Sequence, residues 1–160
     1  MKKDEYLQYV TEAFHPAESL IRMVPADKLG WKPGPGFMSM GELICHLSEG
    51  IGEALQKTIR GNWPKPEELE SSMKAPLPAC SVQEALERLE HDRATLSGVL
   101  SEISEEDFDN TRVSVPWGLE AKMERMALHF LEHFFHHKMQ LFMYLKLLGF
   151  PVNTATLYFG

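Results

Sequence analysis

Apolar residues recur at helical spacing in four stretches of the chain. In residues 3–24 they are Tyr6, Tyr9, Val10, Ala13, Phe14, Ala17, Leu20, Ile21 and Val24. Pro16 lies inside this run and lacks a backbone donor, so a kink or restart is expected near a solvated His15. A second stripe, Leu43, Ile44, Leu47, Ile51, Leu55 and Ile59, predicts a helix from Ser39 to about Arg60. Ser39-Met40-Gly41-Glu42 opens it as a capping box, in which the serine oxygen and the glutamate each take a free backbone N–H. Ser81-Val82-Gln83-Glu84 opens a third helix in the same way, with Ala85, Leu86, Leu89, Leu96, Leu100 and Ile103 inward. The opposite face, Glu87, Arg88, Glu90, Asp92 and Arg93, reads as solvated, and His91 belongs to it.

The fourth stretch, MERMALHFLEHFFHHKMQLFMYLKLLG (123–149), is the longest apolar run. As a helix from about Glu120 to Leu148 it would span about 43 Å at its ordinary rise per residue. Gly149 and Pro151 stop it, and Lys138 and Lys146 suit the negative end of its dipole. Phe130, Phe134, Leu141 and Leu145 lie on one side. Met126, Phe135, Phe142 and Met143 lie around the others, and a helix apolar on several sides is buried on several sides. One bundle core would not cover it all, so a subunit interface, and hence a homodimer, is expected.

Between these helices, residues 25–38 are rich in Pro and Gly, and Trp31 and Phe37 are expected to tuck against the bundle end. Residues 61–80 carry Gly61, Pro64, Pro66, Pro76 and Pro78. A connection this long allows helices 2 and 3 to run parallel, with Trp63 as its anchor. Residues 104–119 read as a turn and a short extended piece, and the apolar tail (Leu157, Tyr158, Phe159) is expected to dock. The expected fold class is all-α: a four-helix bundle with one long connection between helices 2 and 3, forming a single domain over 1–160.

Composition narrows the function classes. A net charge of −7 argues against nucleic acid or an anionic membrane as a partner. The fourth helix is interrupted by Glu132, Lys138, Gln140 and Lys146, so it is no membrane span. The N-terminus shows no secretory pattern. Two cysteines, Cys45 and Cys80, suggest no disulfide framework, and a cytoplasmic setting follows as the simpler expectation.

Chemistry concentrates in histidines. Four of the seven, His129, His133, His136 and His137, sit on the fourth helix. Residues four apart on a helix lie about 5–6 Å apart at Cβ, so His133 and His137 can reach one ion. His133 with His136, or His129 with His133, would serve nearly as well, and spacing alone does not choose. Each buried imidazole needs polar partners, so four on one buried helix favour metal binding over packing. A third ligand should come from another helix. His46 is the best candidate, with Glu49 and Glu53 either orienting an imidazole or simply solvated. Cys45 points away and is not expected to ligate.

Two motifs carry a resemblance to a known family. WKPGPGFMSMGELICHL (31–47) ends at His46, and HFLEHFFHHKMQLFMYLKLLG (129–149) contains a His-x-x-x-His pair followed by a leucine-rich run to a glycine. Together they resemble the DinB-like (YfiT-like) superfamily of metal-dependent four-helix proteins over nearly the whole chain. The resemblance implies His46, His133 and His137 as the metal triad and leaves His129 and His136 as neighbours. The chain departs from the family at Lys138-Met139-Gln140, where Arg-Gly-Gln would be expected and only the glutamine is kept.

Three neutral imidazoles leave a divalent ion its full charge and an open position, which is the catalytic pattern. Zinc or nickel is the first expectation for the metal, with iron or copper also suited to such ligands. Such an ion can activate water, polarise a substrate oxygen or hold a thiolate. No serine- or cysteine-centred nucleophile motif, phosphate loop or dinucleotide fingerprint is present. Members of the superfamily that the chain resembles look like metal-dependent hydrolases or low-molecular-weight thiol transferases, so the resemblance implies a metal-dependent enzyme of one of those types, acting on a small molecule. The alternative is a non-catalytic dimeric metal- or ligand-binding module of the same fold.

Overall fold

The structure is a computed structural model and describes residues 1–72 and 74–160. In chain order its elements are α1 (Lys3–Arg22), a 3-10 turn (Ala26–Lys28), α2 (Met40–Leu47), α3 (Gly52–Arg60), α4 (Pro66–Lys74), α5 (Val82–Glu102), α6 (Glu105–Asn110), β1 (Arg112–Ser114), β2 (Glu120–Lys122), α7 (Met123–Leu147) and α8 (Thr154–Phe159). The two strands form an antiparallel hairpin in which Val113 faces Ala121. Everything else that is regular is helical, and the expected all-α four-helix bundle is what the chain forms.

The bundle consists of α1, the α2–α3 pair, α5 and α7, and side-chain contacts give its directions. Lys3 Nζ donates to Ile103 C=O at 2.7 Å, so α1 and α5 are antiparallel. Tyr6 OH donates to Ala127 C=O at 2.9 Å, and Phe14 meets Phe134 at 5.2 Å between ring centroids, so α1 and α7 are parallel. Cys80 N–H donates to Gly41 C=O near the start of α5, and Arg60 pairs with Glu102 near its end. The α2–α3 pair and α5 therefore run parallel, as the long connection allows. Tyr6, Leu20, Ile21, Leu43, Ile44, Leu55, Leu96, Leu100 and Met126 are fully buried between these four elements.

The second helix is not continuous, contrary to the expected run from Ser39 to Arg60. It breaks across residues 48–51, where Ser48 Oγ turns back to donate to Cys45 C=O at 2.9 Å. Asp92 of α5 makes the break possible. Its carboxylate accepts from the N–H groups of Ile51 (3.2 Å), Gly52 (3.0 Å) and Glu53 (2.9 Å), capping α3 from a neighbouring helix. Asp92 is therefore buried and not part of the solvated face assigned to it above. Burial pushes its carboxyl above the usual range, and the backbone N–H groups offset only part of that rise.

Other expectations need correction. α1 continues through Pro16 as one helix, so the chain does not restart there. Phe37 is exposed and does not tuck in, whereas Trp31 packs edge-on against Tyr144 at 5.5 Å. Cys45 and Cys80 are joined as a disulfide, because the long connection returns Cys80 to the start of α2. This pairing removes the cysteine-based reason for a reducing compartment. Residues 104–119 hold a further helix, α6, capped by Ser104 Oγ accepting from Asp107 N–H at 3.0 Å.

The remaining pieces behave largely as expected. Trp63 anchors the connection, donating Nε1–H to Thr58 Oγ1 at 3.1 Å and packing on Trp117. The tail folds as α8 beside α1, where the buried Lys138 ammonium donates to Leu157 C=O at 3.1 Å and lies over the Phe135 ring, but only Leu157 docks, and Tyr158 and Phe159 stay exposed. No helix among the described residues is long and apolar enough to cross a membrane.

Candidate metal centre

His133 and His137 sit one turn apart on α7 and face α2. His46 sits in the last turn of α2. The direction of α2 is set at its start, where Ser39 Oγ accepts from Glu42 N–H at 3.3 Å and Glu42 accepts from Ser39 N–H at 2.6 Å. The break that follows Leu47 redirects the chain just past His46.

The three rings converge. His46 Nε2 and His133 Nε2 lie 3.1 Å apart. Ring centroids are 5.2 Å apart for His46–His133, 4.5 Å for His46–His137 and 4.5 Å for His133–His137. The rings are near perpendicular and do not stack. One ligand nitrogen from each residue lies within 4.8 Å of the others. Two nitrogens bound at about 2.0–2.1 Å to an ion of tetrahedral to octahedral geometry sit roughly 2.9–3.4 Å apart. The His46–His133 spacing matches that range, as it also matches a hydrogen bond between the two rings, and with His137 converging on the same point the residues fit a divalent metal.

The electrostatics point the same way. Partial burial of the rings lowers the pKa of all three imidazoles, although His133 keeps an open edge to solvent, and the neighbouring histidines lower His133 further, to about 4. The ordinary pKa is about 6.5, so the rings are neutral and carry free lone pairs at neutral pH. A hydrogen-bonded chain leads away from His137. Its Nδ1 lies 3.0 Å from Gln140 Oε1, Gln140 Nε2 lies 3.1 Å from Tyr144 OH, and Tyr144 OH donates to Met38 C=O at 3.0 Å.

Of the histidine pairs that spacing left open, the structure brings together His133 and His137 with His46. His129 is half-exposed, beside Glu132 at 3.9 Å, and His136 is exposed. Glu49 pairs with Arg88, and Glu53 pairs with Lys57 at 3.0 Å, so neither carboxylate orients an imidazole. Tyr144 was missed in the sequence, and Gln140 stood out there only as part of a motif. Their signal was present: they lie three and seven residues beyond His137, on the same helix face.

By fold and site this is a four-helix bundle whose facing helices present a three-histidine cluster compatible with metal binding. The chain belongs to the DinB superfamily, whose sequence profile matches residues 9–141. Among curated proteins none matches significantly. Three crystal structures share the fold. A DinB-like protein of Bacillus cereus is 15% identical with a TM-score of 0.72, covering 96% of this chain and 98% of that one. A candidate DinB-family member of Exiguobacterium sibiricum is 20% identical with a TM-score of 0.71, covering 96% of both chains. The DinB-like YjoA of Bacillus subtilis is 16% identical with a TM-score of 0.68, covering 92% and 94%.

Proposed function

We propose that this protein is a divalent-metal-dependent enzyme of hydrolase or low-molecular-weight thiol-transferase type, with His46, His133 and His137 as its metal ligands. The observation that carries this reading is the convergence of three imidazoles with no fourth histidine, cysteine or carboxylate among the described residues joining them. A structural site closes its coordination with protein, whereas three ligands leave room for a substrate. His133 is also exposed to solvent, which supports access to that open side. A bound ion would supply Lewis acidity to a substrate oxygen or thiolate, and zinc or nickel suits three imidazoles. The chain's own part is to hold the three rings neutral and converging.

The proposed assembly is a homodimer. Met139, Met143 and Leu147 form an exposed stripe along α7, at 44%, 43% and 63% exposure, and Tyr158 and Phe159 add to the exposed apolar surface on α8. A second copy of the chain would cover this surface.

The test is metal content by elemental analysis of protein purified without a histidine tag, beside His46→Ala and His133→Ala. The expected result is about one divalent ion per chain, lost in both variants, followed by turnover in a screen of amide, ester and thiol-conjugate substrates. If the unaltered protein neither carries metal nor takes up added zinc or nickel, the enzyme reading fails and a binding module replaces it.

A further inference from the structure

We propose that Gln140 and Tyr144 are positioning residues that hold His137 in the tautomer with its proton on Nδ1, leaving the Nε2 lone pair for the cluster. The purpose of such a device rests on the proposed metal site; the device itself can be measured without metal. An imidazole can carry its proton on either nitrogen, and a glutamine amide can present either end, so neither group sets a direction alone. The direction comes from the far end of the chain of contacts.

The Met38 carbonyl can only accept. Tyr144 has one hydroxyl proton and gives it to that carbonyl at 3.0 Å. Toward Gln140, 3.1 Å away, the Tyr144 oxygen is therefore an acceptor, and Gln140 must turn its Nε2 amide hydrogens to it. That places Gln140 Oε1 against His137 Nδ1 at 3.0 Å, where it can only accept. His137 Nδ1 must then carry the proton, and Nε2 is left with its lone pair.

The setting keeps this order rigid. Tyr144 is buried at 2% exposure and braced edge-on by Trp31. Met38 immediately precedes Ser39, the cap of the helix that carries His46. The same chain of hydrogen bonds therefore fixes one ligand's tautomer and ties α7 to the start of α2. Outer partners of this kind typically change metal affinity by about 10- to 100-fold when removed.

The test compares unaltered full-length protein with Tyr144→Phe, Gln140→Met and Gln140→Glu. Long-range ¹H–¹⁵N NMR on metal-free protein at about pH 8, above the ordinary histidine pKa, reads the His137 tautomer. Competition titration reads zinc affinity. The unaltered protein should show Nδ1–H. Gln140→Met removes the acceptor and Tyr144→Phe frees the amide to flip, so both should shift His137 toward Nε2–H and weaken zinc by about 10- to 100-fold. Gln140→Glu gives up the donation to Tyr144 but keeps an acceptor-only group against His137 Nδ1, and should keep both readouts close to those of the unaltered protein. A purely structural role would lower the melting temperature and leave the tautomer unmoved. Nε2–H in the unaltered protein, or an unchanged tautomer in both Tyr144→Phe and Gln140→Met, would overturn the proposal. The predicted tautomers in a protein that binds no zinc would support the positioning device and reject the metal reading.

Discussion

At the scale of the residue, the three histidines make stability depend on pH with a definite sign. Their folded-state pKa values lie below the ordinary value, chiefly because burial disfavours the charged ring. As pH falls below about 6.5 the unfolded chain takes up protons first, and the folded state loses stability. For His133 the loss is complete only when pH has dropped through its folded value of about 4. Urea unfolding of metal-free protein should therefore show a midpoint that falls between neutral and acid pH. A His133→Gln variant, which lacks this titration, should lose less over the same interval. Equal losses in both would mean that His133 is not held neutral by the fold. Asp92 is the other decisive residue, since one carboxylate satisfies three backbone donors that the broken second helix would otherwise leave unpaired.

At the scale of the element, α3 and α5 approach closely at Gly52. A Cβ built on Gly52 would stand 2.0 Å from Asp92 C=O and 2.8 Å from Leu96 N, both backbone atoms that no rotamer change can move. Gly52→Ala should force the two helices apart and cost about 3 kcal/mol, at the upper end of ordinary overpacking. Gly98, on the exposed face of α5, meets nothing within 4 Å. Gly98→Ala should raise stability by about 0.5–1 kcal/mol through helix propensity alone. Denaturant titration of both variants checks the pair. A neutral Gly52→Ala would show that α3 and α5 do not approach as closely as the structure has them.

At the scale of the whole molecule, the outer side of α7 leaves an apolar stripe, Met139, Met143 and Leu147, uncovered. Met143→Glu places a charge in the middle of that stripe, where burial against a second copy would be costly. Sedimentation velocity should show the unaltered protein as a dimer and Met143→Glu as a monomer, with near-identical helical circular dichroism. A monomer in both cases would remove the dimer. The helix directions matter at this scale too. With α2–α3 parallel to α5, the long connection must climb back along the bundle, and it carries Cys80 to Cys45 on the way.

The sequence by itself determined the helices and most of the candidate site. Helical periodicity, two serine capping boxes and the Gly149–Pro151 stop are local signals, and the helices they mark formed there, except that the second splits into α2 and α3 and the fourth starts at Met123, after strand β2, instead of near Glu120. The His133–His137 spacing is likewise local, since one turn of helix puts both rings on one face. Only the tertiary structure decided the rest, because the deciding partners lie on other elements. Asp92 reads as one charge among several on an exposed face until α3 is packed against it. Cys45 and Cys80 are 35 residues apart and meet only through the path of the connection. Choosing His133 and His137 over the other histidine pairs required α2 to deliver His46 to that side of α7. The direction of the Gln140–Tyr144 chain depends on the Met38 carbonyl, 106 residues from Tyr144, and no periodicity along one helix can announce a partner that far away.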